Sequence, residues 1–122
     1  MRRLALLAAL VAGALVLVGC GTTIPQNASV KAFCSEGEKY SSLEGVPFKT
    51  GQQAIRRLAE VGTPAGISAS ARSGFVELVH RMEDADSGED FRRATRSMSS
   101  SERKHLLGLD DYIQKTCTAQ VG

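Results

Sequence analysis

Two histidines, three cysteines and one acidic run are the groups in this chain that chemistry would recruit. His80 and His105 can each serve as a general base or a metal ligand. Neither has a cysteine or histidine partner at a useful helical spacing, and His80 falls off the apolar stripe of its segment, so both read as solvated helix positions. The run Glu83-Asp84-Ala85-Asp86-Ser87-Gly88-Glu89-Asp90 has the carboxylate density of a calcium loop. An EF-hand needs glycine at the sixth place and a carboxylate at the twelfth. Counted from Asp84, those places hold Glu89 and Thr95, which leaves a solvated acidic loop whose Ser87 and Asp90 favour a following helix N-terminus. Thiolates at Cys34 and Cys117 would need further metal ligands, and no Cys or His stands near either.

Two fragments are similar to the catalytic set of penicillin-binding enzymes and serine β-lactamases: Ser101-Glu102-Arg103-Lys104 has the S-x-x-K spacing and Lys49-Thr50-Gly51 spells K-T-G. Their order is reversed, the S-D-N element is missing, and the chain is too short for that fold. Helix capping by Thr50 and Ser99 accounts for both fragments. No P-loop, G-x-G-x-x-G, G-x-S-x-G or H-E-x-x-H occurs, so no catalytic residues, cofactor or metal are expected.

The N-terminus carries a different signal. Arg2 and Arg3 precede Leu4 to Val18, an almost unbroken run of Leu, Ala and Val that stops at Leu17-Val18-Gly19-Cys20. The run is shorter than the roughly 20 residues that cross a bilayer comfortably. Cationic start, apolar core and small-residue pair before cysteine resemble the signal peptide and lipobox of bacterial lipoproteins. That resemblance, confined to residues 1–20, implies cleavage before Cys20, diacylglycerol on its thiol and acylation of the new amine. It further implies export and anchoring to the outer face of the cell membrane, or to the periplasmic side of an envelope membrane, through lipid on Cys20. A plain membrane anchor or a secretory signal cut elsewhere are the alternatives. Residues 20–27 then form an uncharged tether, residues 28–118 a domain and residues 119–122 a tail.

With the signal set aside, the charge balance changes. The chain has 15 basic and 13 acidic side chains, and Arg2 and Arg3 account for the excess. A neutral domain offers no basic footprint for nucleic acid. Its Leu, Ile, Val and Phe content is close to that of marginal chains, so the core must be thin. If Cys20 is lipidated, Cys34 and Cys117 remain, and export permits one disulfide between them. Two free buried thiols or an intermolecular bridge are the other possibilities.

The elements that position these groups read as helical, and no strand alternation or internal repeat is found. Val30, Phe33, Cys34 and Gly37 recur at three and four residues in a helix from about Ala28 to Tyr40. Thr50-x-x-Gln53 matches a capping box for a second helix with Ile55, Leu58 and Val61 inward. Thr63 and Pro64 cap and open a third, striped by Ile67, Ala71, Phe75, Leu78 and Met82, in which Gly74 costs about 1 kcal/mol relative to Ala. Phe91, Ala94, Thr95 and Met98 form a short amphipathic element, and Ser99-x-x-Glu102 caps a last helix striped by Leu106, Leu109, Ile113 and Cys117.

The expected fold is therefore all-α, a bundle of four to five helices stapled by one disulfide after a cleaved signal peptide. By resemblance the whole looks like the small two-cysteine helical lipoproteins of high-GC Gram-positive bacteria. The expected role is a non-catalytic interaction or accessory module at the cell envelope, with an envelope protein as partner. A carrier of a small apolar ligand is the alternative if a cavity exists between helices. An enzyme of unfamiliar type would need His80 or His105 to meet an acid in a cleft.

Overall fold

The computed structural model describes residues 23–41 and 45–121, so the expected signal peptide and lipobox, with Cys20, lie outside the described residues. Among the described residues five helices follow one another: α1 (Val30–Ser41), α2 (Phe48–Val61), α3 (Ala69–Asp84), α4 (Gly88–Arg96) and α5 (Ser100–Val121). Among the described residues there is no strand, only an isolated bridge between Ala28 and Pro64. Cys34 and Cys117 are joined by a disulfide with their Cα atoms 5.3 Å apart.

Serine opens four of the helices. The Ser29, Ser68 and Ser87 hydroxyls accept from the amides of Ala32, Ala71 and Asp90, relieving donors that the first helical turn leaves without partners. At α5 the full reciprocal box forms: Glu102 donates its amide to Ser99 Oγ at 3.1 Å and Ser99 donates its own to Glu102 Oε1 at 2.8 Å. The other two caps expected from sequence, at Thr50 and Thr63, do not form. Helix α2 starts at Phe48 behind Pro47, without a side-chain cap, which places Thr50 inside its first turn. Helix α3 starts behind Ser68 rather than Thr63, because Thr63 and Pro64 are taken up by the chain entering α1.

That entering segment corrects the expected tether. Ile24 is buried in the core, Thr63 donates its amide to Pro25 O, and Ala28 donates to Thr63 O. Arg72 completes the clamp with Nη2 on Ile24 O at 2.9 Å and Nη1 on Pro25 O and Thr63 Oγ1. The packed domain thus includes Ile24, and α1 begins two residues later than Ala28. Gly62 permits the contact: its φ of 86° suits glycine, and a β-carbon there would overlap the Pro25 backbone. At the far end α5 continues through Val121, so residues 119–121 belong to a helix and not to a tail.

The core gathers Phe33, Ile55, Leu58, Phe75, Val79, Met82 and Leu109, with the Phe33 ring tilted against Phe75 and edge-on to Tyr112 at centroid separations of 5.8 and 6.1 Å. Helices α3 and α5 form the largest contact and run antiparallel: Ser70 faces Gly108, Gly74 faces His105, and Arg81 pairs with Glu102 at 2.9 Å. Gln52, buried on α2, donates to Met82 O at 2.9 Å and Ala85 O at 3.2 Å and so closes the C-terminus of α3. Ile67 and Val61, expected inward, are only half-buried, while Val79 and Ala54 are buried instead.

Candidate functional site

The disulfide lies in the wall of an apolar groove of about 440 Å³ between α1 and α5. Phe33, Cys34 and Gly37 recur on one face of α1, and Leu109, Ile113 and Cys117 recur every four residues on α5, so each helix presents one stripe. Phe75 and Leu78 from α3 and Leu58 from α2 also line it. Leu109 is buried, but Ile113 keeps 37% of its surface exposed because nothing among the described residues covers the groove at that point.

Gly37 explains part of the width. A β-carbon at this position would meet no atom within 4 Å, so neither close packing nor a positive φ requires glycine there. Mid-helix glycine costs about 1 kcal/mol relative to alanine. That cost leaves an open wall opposite the α5 stripe. Polar groups are few: Tyr40, Glu38, Gln114 and Thr118. Burial pushes the Tyr40 phenol above its usual range, so it remains an uncharged hydroxyl at neutral pH.

The other residues singled out from sequence fall elsewhere. His80 is exposed on α3. His105 is not the solvated position expected of it: its Nδ1 lies 2.8 Å from Glu77 Oε2, across the α3–α5 contact. The other Glu77 oxygen is buried and accepts no hydrogen bond from a described residue. Neither residue lines the groove, so the pair braces two helices and does not meet a ligand there. Ser101 and Lys104 are exposed on the first turn of α5, and Lys49-Thr50-Gly51 lies in the first turn of α2. Of the acidic run, Glu89 pairs with Arg92 and Asp90 with Arg93 beside the α4 cap, and Glu83 lies 3.9 Å from Arg56 on α2. No cluster of three His, Cys, Asp or Glu side chains suited to a metal occurs among the described residues, and none of their helices is long and apolar enough to cross a membrane.

Sequence reasoning places Gly37 on the α1 stripe as a core position and misses Gln52, Arg72 and Glu77 as structural polar groups. A glycine inside an otherwise good helical stripe is the one signal that marks the groove in advance. The chain matches no protein-family model, no curated protein and no solved structure.

Proposed function

We propose that the protein is an exported lipoprotein, held to an envelope membrane by lipid on Cys20, and that its helical domain is a non-catalytic module holding a small apolar ligand in the α1–α5 groove. The observation that carries the ligand reading is the groove itself. Its volume of about 440 Å³ falls in the range of small-molecule sites, about 300–1,000 Å³. A glycine that the fold does not need keeps it open. The anchor reading rests on the order of cationic start, apolar run and Leu17-Val18-Gly19-Cys20. Four residue steps separate Cys20 from the buried Ile24, a reach of at most about 14 Å. The domain would therefore sit against the lipid surface, where apolar ligands are concentrated.

Two measurements test the two parts. Cys20→Ser should move the protein from the membrane to the soluble fraction; a membrane-bound, unlipidated product defeats the anchor. The neutral fluorophore N-phenyl-1-naphthylamine should bind the Cys20→Ser chain saturably with one site. Adding Gly37→Leu, which fills open space, should abolish that binding with the helical circular dichroism unchanged. Binding that survives the filled groove defeats the ligand reading.

A further inference from the structure

The groove carries an electrostatic asymmetry that bears on which amphiphile it would hold. Among its described lining residues there is no Lys, Arg or His, and Glu38 is the one carboxylate. Glu38 stands four residues from Cys34 on α1 and makes no ion pair with another described residue. Its sequence neighbour Lys39 is engaged with Glu36 at 2.9 Å, and Lys115, beside Gln114 on the opposite helix, is engaged with Asp111 at 3.0 Å. Neither lysine lines the groove. The remaining polar groups, Tyr40, Gln114 and Thr118, are uncharged.

Resting on the ligand reading above, we infer that the groove selects amphiphiles with a cationic or neutral head over anionic ones, with Glu38 receiving the head and Gln114 and Thr118 hydrogen-bonding it. An anionic head would have to leave water for a rim whose described residues hold a like charge and no cation. The domain beyond the signal peptide has equal numbers of acidic and basic side chains, so net charge does not supply the preference.

The test uses the full chain carrying Cys20→Ser with bound N-phenyl-1-naphthylamine, displaced at pH 7 and low salt by decylamine, decanol or decanoate. These three share a chain and differ in head charge. An exposed ion pair is a modest interaction, so decylamine is expected to displace the probe at about fivefold lower concentration than decanoate. Glu38→Gln should bring the two within about twofold, and Glu38→Lys should reverse their order. Glu38 is exposed, so these variants leave the core intact. Equal displacement by all three in the parent chain, or a preference that survives Glu38→Gln, overturns the head selection while leaving the groove as a site. No saturable probe signal, or a signal untouched by Gly37→Leu, overturns the ligand reading beneath it.

Discussion

The main-chain carbonyl of His105 fills the space in which a β-carbon on residue 74 would sit, and the Leu106 amide lies 3.2 Å from the same point. Helix propensity taken alone predicts that Gly74→Ala stabilises α3 by about 1 kcal/mol. The obstacle is backbone on α5, which has no rotamer to change, so the two helices must part. Parting them strains the Glu77–His105 and Arg81–Glu102 pairs along the same seam. Gly74→Ala should therefore destabilise the domain by about 2–4 kcal/mol in urea unfolding. A variant as stable as the parent would show that the crossing yields freely.

Gln52 sets a second expectation. Its amide is the side-chain donor that reaches Met82 O and Ala85 O in a buried site. Gln52→Leu leaves those carbonyls without it and should cost about 1–3 kcal/mol. Gln52→Glu keeps the shape but turns a carboxylate toward two carbonyl oxygens. Burial and the carbonyls then raise the new carboxyl's folded-state pKa above its unfolded value of about 4.3. Stability of this variant is closest to the parent below that pH and falls as pH rises through the folded-state value. Urea midpoints from pH 3 to pH 7 read the trend, and a difference from the parent that is constant with pH would contradict it.

Glu102 titrates in the opposite sense. The Ser99 amide first, and the Arg81 guanidinium with it, hold its carboxyl below the ordinary glutamate value. A depressed folded-state pKa means stabilisation that is present above the ordinary value and lost as pH falls through the lowered one. Glu102→Gln keeps an acceptor for the Ser99 amide and removes the charge. The gap in urea midpoint between parent and variant should be small, largest near neutrality, and closed at low pH. A gap that widens on acidification would exclude the carboxylate as its source.

The helices were legible because amphipathic period and serine caps are local: Ser87 and Ser99 announce α4 and α5, and Leu109 and Cys117 fix the buried face of α5. The cysteine pairing was legible because only two cysteines fall within the domain. Where local signals competed, sequence reading failed. Thr50-x-x-Gln53 has the letters of a capping box, yet Pro47 starts α2 earlier, which leaves Gln53 exposed and turns Gln52 inward. Glu77 and His105 are 28 residues apart, so their meeting depends on an interhelical register fixed partly at Gly74. Arg72 lies 48 residues from Ile24, and nothing in the uncharged run after Cys20 shows that its isoleucine will be clamped. The groove was hidden for a related reason: periodicity shows that Leu109, Ile113 and Cys117 share a face, not whether another element fills the space before it.

Cys34 and Cys117 link α1 to α5 across that partly filled space, so the disulfide should matter for the site as well as for overall stability. Joining residues 83 apart restricts the unfolded chain by about 4–5 kcal/mol in the chain-entropy treatment. Set against a typical domain stability of about 5–15 kcal/mol, its loss is a large fraction. The loss should not fall evenly. Helix α3 is held by Gln52, Arg72 and the ion pairs to α5, none of which involves either cysteine. Helix α1 relies on Phe33, its partly buried neighbours and the covalent link. Cys34→Ala with Cys117→Ala should therefore lower the urea midpoint and raise amide exchange first along α1 and the end of α5, with residues 71–82 protected longest. Probe binding in the groove should weaken at urea concentrations where the α3–α5 seam is still protected. Uniform loss of protection along the chain would instead mean that the domain opens as one unit.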